Sequence, residues 1–320
     1  MQAPNSLQLF EANRWLERTG IESQVIAMQP LPHGYAHRND LLTLEQGEQV
    51  VLRRYLNKGM VPARKERGFY GLLRHQAAVP APRVLGILST DDAAALVLEY
   101  VHGVALGDVA PNLPDGPFED VHRSVGAALK NIHTIAYRIG GLLVGEDLVP
   151  FPEGSWGGHI LADVKRDVQL LVDARLLTRT ASTTVIERFQ AAVPLMNDYV
   201  PTLVHGDFHP WNVLVSQQGD TWGLRAVLDL ESAMVGDPQY DLARFLSVRF
   251  GSYPAVPQSF FAGYGGRADP ERHALYTTAI MLHAARGRGG SPAMSPYLVQ
   301  EAAAYVRQLP KQLDQVSFGQ

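Results

Sequence analysis

The sequence predicts an α+β protein built as a small strand-rich lobe followed by a larger helix-rich lobe. Three observations carry that reading. Short apolar runs separated by turn residues dominate residues 1–101. From Gly103 onward the apolar spacing becomes helical, over 118–136, 159–174 and 183–197. Between 202 and 230 short apolar runs return, divided by polar turns.

Taken in order, residues 24–29 read as a short strand, and 40–45 and 49–55 flank Gln46-Gly47-Glu48, which is hairpin chemistry. Pro62 opens the one helix expected in this lobe, where proline at the first turn is tolerated. Phe69, Leu72 and Leu73 recur on it at helical spacing, and Val79-Pro80-Ala81-Pro82 ends it. Residues 83–88 and 95–101 are two further strands joined by a turn at Asp91-Asp92. The composition of the pattern changes near His102-Gly103, which divides the chain into 1–101 and 102–320. Within the second lobe, 203–204, 213–215 and 226–228 are short strands, and 241–309 is again mainly helical. A cleft between two such lobes commonly holds a ligand.

Composition narrows the function. With 28 Lys+Arg against 32 Asp+Glu the formal net charge is −4, so the basic face that nucleic-acid binding needs is not expected. There is no cysteine, which excludes disulfides, thiolate catalysis and Cys-ligated zinc and fits a cytoplasmic setting. The N-terminal residues lack a basic segment followed by an apolar run, so no signal peptide is expected. No run approaches ~18 apolar residues, so no membrane span is expected.

The chemistry concentrates in Leu203-Val204-His205-Gly206-Asp207-Phe208-His209-Pro210-Trp211-Asn212-Val213. Phosphoryl transfer needs one group to accept the proton of the attacking hydroxyl and another to hold a metal on the phosphates. Asp207 and Asn212 reproduce the Asp-x-x-x-x-Asn spacing of a kinase catalytic loop. Asp229 closes the apolar run 226–228, and Mg²⁺ favours one or two carboxylates completed by phosphate oxygens and water. His205 reads as structural support for the loop. A His205–His209 metal pair lacks a third ligand cluster in the sequence.

These segments, with Gly236-Asp237-Pro238 and Asp241-Leu242-Ala243, resemble the aminoglycoside phosphotransferase-like family, which also includes choline kinases and several bacterial small-molecule kinases. The resemblance runs weakly over nearly the whole chain. It implies a protein-kinase-like two-lobed fold, with 1–101 binding the nucleotide and 102–320 holding the catalytic and acceptor sites. It also implies ATP or GTP as co-substrate with Mg²⁺, Asp207 as catalytic base, and Asn212 and Asp229 as metal ligands. Scaffold roles follow for Asp237 and Asp241.

On the nucleotide side, a kinase places a loop over the triphosphate where this chain has 32–39, containing Gly34 and Tyr35. Relatives place a Lys or Arg after an apolar triplet such as Val50-Val51-Leu52, which favours Arg53 over Arg54 as the inward side chain. Glu66 shares a helix face with Phe69, Tyr70 and Leu73 and is the expected partner of Arg53. A surface pairing of Glu66 with Lys65 or Arg67 is the alternative. The stretch 96–103 resembles an inter-lobe hinge, where the C=O of Glu99 and the N–H of Val101 are candidates to read adenine.

The expected partners are therefore a nucleoside triphosphate and a small hydroxyl-bearing acceptor. Two other readings compete. A protein kinase should carry D-F-G and A-P-E, whereas Asp229 is followed by Leu230-Glu231 and almost at once by Gly-Asp-Pro. A pseudokinase regulator should have lost some of Asp207, Asn212 and Asp229, and all three are present. From Gly251 onward the bases Arg267, Arg272, Arg286, Arg288, Arg307 and Lys311 outnumber the acids Asp269, Glu271, Glu301 and Asp314, which favours a neutral or anionic acceptor over a polycationic one.

Overall fold

The computed structural model describes residues 6–31, 37–55, 61–90, 93–151, 154–219, 221–247, 253–289, 307 and 314. Its first lobe is a five-stranded antiparallel sheet of β1 (Val25–Pro30), β2 (His37–Leu44), β3 (Gln49–Tyr55), β4 (Val84–Ser89) and β5 (Ala94–Glu99), in the order β1-β2-β3-β5-β4. Helix α1 (Ser6–Arg18) covers one face and α2 (Val61–His75) the other. The period of two along β5 sorts its side chains. Ala95 and Val97 meet Ala12 and Leu16 of α1, and Leu96 and Leu98 meet Phe69 and Leu73 of α2. Gly47, at φ +86°, makes the β2–β3 turn that L side chains rarely adopt.

The second lobe contains β6 (Val104–Ala105), α3 (Leu106–Val109), α4 (Asp115–His133), β7 (Gly141–Val144), β8 (Val149–Phe151), α5 (Trp156–Asp173), α6 (Arg179–Ala191), α7 (Val193–Met196), β9 (Thr202–Val204), β10 (Val213–Gln218), β11 (Thr221–Val227), β12 (Met234–Gly236), α8 (Gln239–Leu246), α9 (Gln258–Tyr264) and α10 (Pro270–Gly289). Two small sheets, β11-β10-β6 and β8-β7-β12-β9, carry the loops of the cleft. Val121, Val125, Leu129 and Ile132 form the buried stripe of α4 at helical spacing.

One core crosses the lobe boundary. Leu96 and Leu98 join Leu106, Phe208, Val213, Val215 and Val227 in a continuous buried cluster. Each such side chain contributes about 1.5–3 kcal/mol on burial, so the strands flanking the cleft are held by the same packing that joins the lobes. A second cluster lies among α5, α6 and α10, with Val164, Val168, Leu171, Phe189, Leu275 and Leu282.

The structure corrects several expectations. Among the described residues the first lobe has two helices rather than one: Ala12 and Leu16, one turn apart, are buried and bind α1 to the sheet. The last strand stops at Glu99. The helix expected from 159 begins at Trp156, because the Ser155 hydroxyl accepts the N–H of Gly158 as an N-cap. The helix expected over 183–197 is two, α6 from Arg179 and α7 with Pro194 in its first turn. The hairpin β7–β8 was not anticipated. Among the described residues no helix is long and apolar enough to cross a membrane.

Candidate active site

After β9 the chain turns sharply at Gly206, φ +80°, where a Cβ would lie 2.3 Å from the Ser232 carbonyl oxygen; only glycine fits. The buried carboxylate of Asp241, in the first turn of α8, fixes this turn. It accepts the N–H of His205 at 2.7 Å and that of Gly206 at 2.9 Å, and His133 Nε2 stands 3.1 Å away. His205 Nδ1 accepts the Asp207 N–H at 3.3 Å, which leaves Nε2–H to donate to the Leu228 carbonyl at 3.0 Å. His205 and Asp241 thus brace the loop rather than face the cleft. Asp237 is likewise a brace, accepting from Tyr276 at 2.7 Å and Arg272 at 2.9 Å.

Asp207 is half-buried and both its oxygens are engaged. Arg244 Nε donates to Oδ1 at 2.7 Å. His209 Nε2 stands 3.5 Å and Asn212 Nδ2 3.4 Å from Oδ2. Because His209 Nδ1 accepts the Trp211 N–H at 3.2 Å, its proton resides on Nε2, facing Asp207. Burial alone pushes the Asp207 carboxyl up, but the hydrogen bond from His209 and the charge of Arg244 outweigh it and hold the group well below the usual carboxylate range.

Asn212 also donates from Nδ2 to the Asp207 carbonyl at 3.0 Å, which turns its amide oxygen away from that carbonyl. Its own carbonyl accepts the Leu228 N–H at 2.9 Å, tying the loop to the end of β11. There Asp229 adopts φ +63°, a left-handed conformation uncommon outside glycine that Asp tolerates better than most residues.

Arg53 reaches Asp229 across the cleft, Nη2 to Oδ1 at 2.7 Å, and its Nε lies 3.1 Å from Glu66 Oε2. The hydroxyl of Tyr70 donates to Glu66 Oε1 at 3.0 Å, and that of Tyr55 donates to Oε2. Burial, then the neighbouring Glu66 charge, raises both phenols far above their ordinary value, so they stay protonated donors. Burial would lower the Arg53 pKa, but Glu66 and Asp229 outweigh it and keep the guanidinium charged. Two further contacts close the lobes on the same segment: His37 Nε2 with Glu231 Oε2 at 2.6 Å, and Lys65 Nζ donating to the Glu231 carbonyl at 3.4 Å.

The structure therefore brings together Asp207, Asn212, Asp229, Arg53 and Glu66, from four separate segments: the loop between β9 and β10, the end of β11, β3 and α2. Arg54 points to the opposite face, where it pairs with the buried Asp40 beneath α1. Glu99 ends β5 at the lobe junction, with its carboxylate turned outward to Arg83 at 3.1 Å; Val101 follows in the link to β6. Gly34 and Tyr35 lie outside the described residues. Sequence reasoning missed Arg244. Its signal was the i+3 spacing from Asp241, which puts both side chains on the face of α8 turned to the catalytic loop.

The strand-rich sheet joined to a helical lobe, with an acid, an amide and a second acid on the cleft floor, is the architecture of two-lobed kinase folds. The chain belongs to the phosphotransferase enzyme family, whose sequence profile matches residues 27–276. No curated protein sequence matches it. Among solved structures, a GDP complex of a point mutant of aminoglycoside 2'-phosphotransferase-IIIa is similar with TM-score 0.70 at 18% identity, covering 95% of this chain and 97% of that one. A candidate fructosamine-3-kinase from Thermobifida fusca YX-ER1 follows with TM-score 0.66 at 21% identity, covering 95% and 97%. The streptomycin–ATP ternary complex of APH(2")-IIa gives TM-score 0.61 at 15% identity, covering 98% and 99%. At these identities the likeness establishes the protein-kinase-like fold.

Proposed function

We propose that this protein transfers the γ-phosphoryl group of ATP or GTP to a hydroxyl of a small molecule. The observation that carries the reading is the convergence of Asp207, Asn212, Asp229 and Arg53 on one cleft, with Arg53 touching Asp229 at 2.7 Å and Asn212 touching Asp207 at 3.0 Å. In this reading residues 1–101 bind the nucleotide, and 102–320 supply the catalytic loop and the acceptor site, in a cytoplasmic enzyme. Asp207 orients the acceptor hydroxyl and takes its proton. Its depressed pKa makes it a weak base, which suits a loose transition state in which the proton leaves late.

The donor set fits Mg²⁺: the Asp229 carboxylate and the Asn212 amide oxygen are hard oxygen ligands that phosphate oxygens and water would complete. Bound there, Mg²⁺ would supply positive charge to offset that of the phosphates. Arg53, held by Glu66, contacts the α/β-phosphates. The C=O of Glu99 and the N–H of Val101 read the base, and the loop with Gly34 and Tyr35 covers the triphosphate. The acceptor is neutral or anionic rather than a polycation.

The test is transfer of labelled γ-phosphate from ATP and from GTP, with Mg²⁺, to a library of hydroxyl compounds. Labelled product supports the reading. Nucleotide binding without turnover on any acceptor would make the protein a regulatory binding module instead.

A further inference from the structure

Arg244 occupies a position that the transfer reaction alone does not require. It holds Asp207 Oδ1, whereas Asn212 and His209 approach Oδ2. Arg244 thus meets the oxygen of the base opposite the one that the candidate metal ligand approaches, within reach of an acceptor that presents its hydroxyl to Asp207. Its Nε is committed to Asp207, its side chain is 23% exposed, and Asp207 is its side-chain partner among the described residues. The outer edge of the guanidinium, Nη1 with Nη2, is a preformed two-donor fork suited to a planar or tetrahedral oxyanion.

The neighbouring wall has the same bias. Tyr240, in the first turn of α8, packs edge-on against Trp156 at the start of α5, ring centroids 5.7 Å apart, and its hydroxyl, pushed up chiefly by burial, also feels Arg244, Asp207, Asp241 and Asp163. On α5, Asp163 is paired with Arg166 at 2.8 Å. One turn on, the fully buried Asp167 is surrounded by Arg166 at 3.2 Å, His283 at 3.2 Å and Arg286 at 3.3 Å. Its carboxyl lies below the ordinary range because, against the upward push of burial, these groups prevail. The carboxylates of this wall are already matched by cations and offer little to an incoming polycation.

Resting on the phosphotransfer reading, we propose that the acceptor carries a carboxylate or phosphate near the hydroxyl it offers, and that the outer edge of Arg244 binds this oxyanion.

The experiment uses matched pairs on the full chain with Mg²⁺ and a non-hydrolysable ATP analogue: D-glycerate with glycerol, D-gluconate with D-glucitol, and D-ribose 5-phosphate with D-ribose, alongside kanamycin. Calorimetry measures binding, and turnover is followed in parallel with ATP. In at least one pair the anionic member should bind at least 10-fold tighter than its neutral twin, and Arg244→Gln should erase that preference. Arg244→Lys keeps a positive charge beside Asp207 but lacks the fork; it controls for folding and should retain only part of the preference. No anionic preference in any pair, a preference that survives Arg244→Gln, or tighter binding of kanamycin would overturn the proposal. If Arg244 served the transferring phosphoryl instead, Arg244→Gln would lower kcat for both members of a pair and leave the anionic binding preference intact, which also overturns it. Oxyanion binding through Arg244 without any turnover would sink the phosphotransfer reading and leave the subsite standing.

Discussion

Arg53 and Arg54 are adjacent, carry the same charge and point to opposite faces of β3, so replacing each by alanine separates nucleotide binding from stability. Arg54 pairs with Asp40, whose side chain is 0% exposed. Removing one partner of a buried pair costs roughly 3–5 kcal/mol. Arg38, 3.3 Å from Asp40 but 49% exposed, softens that loss, so Arg54→Ala should cost about 2–3 kcal/mol of stability. Arg53→Ala removes the charge beside Glu66, which is 1% exposed but keeps the Tyr55 and Tyr70 hydroxyls. Its stability loss should be similar. Stability therefore does not distinguish the two, and nucleotide KM does. A charge-assisted contact is worth roughly 1.5–3 kcal/mol, or about 10- to 100-fold in affinity. Arg53→Ala should raise the nucleotide KM by that factor, while Arg54→Ala should change it less than about 3-fold. Denaturant melts and steady-state kinetics, both at a temperature where each variant is folded, provide the assay. A larger KM effect from Arg54→Ala would refute the reasoning.

Arg244→Gln should also move the acid limb of the kcat/KM profile. In the wild type Asp207 stays ionised well below the usual carboxylate range; without the arginine only His209 is left to counter burial, so its pKa should rise and activity should fall at higher pH as the medium is acidified. An unchanged limb would contradict the assigned base. Asp229→Asn keeps a residue that tolerates φ +63° while removing the charge. It should weaken Mg²⁺–nucleotide binding at least 10-fold by calorimetry, roughly the worth of one charged contact; wild-type affinity would remove Asp229 from the metal site. Asp241→Asn puts an amide donor against the N–H groups of His205 and Gly206, which are 2.7 and 2.9 Å from the present carboxylate. It should cost about 2–4 kcal/mol of stability and lower kcat. A thermal melt within a degree of wild type would show that the brace is dispensable.

What could be read before the structure was what a short segment encodes by itself. Asp207, Asn212 and Asp229 lie within a few residues of strand ends, so spacing located them. The β2–β3 hairpin announced itself through Gly47. The Arg53–Glu66 pair needed one further step, the shared inward face of β3 and α2, and the geometry brings those side chains to 3.1 Å. What escaped depended on tertiary partners. Helix α1 has a narrow buried stripe, Ala12 and Leu16, among Glu11, Asn13 and Arg14, and only the sheet beneath it makes that stripe significant. The β7–β8 hairpin is short and leaves Val149 and Phe151 more than half exposed, so it lacks the alternation that marks a half-buried strand. Pro194 falls inside the single helix expected over 183–197, where its missing N–H and ring do not fit; the structure ends α6 at Ala191 and starts a new helix with Pro194 in its first turn. Arg244 escaped notice because, despite its i+3 spacing from Asp241, an arginine in a helix looks like solvated surface until the loop it braces is in view.

The central claim is tested most directly by comparing wild type with Asp207→Asn in the labelled γ-phosphate transfer assay. This substitution keeps the size of the side chain and its carbonyl oxygen and removes the ionised carboxylate. The account predicts labelled acceptor from the wild type and a rate lower by roughly 10²–10⁴ in Asp207→Asn, with nucleotide affinity little changed. Equal turnover in the two proteins would contradict it.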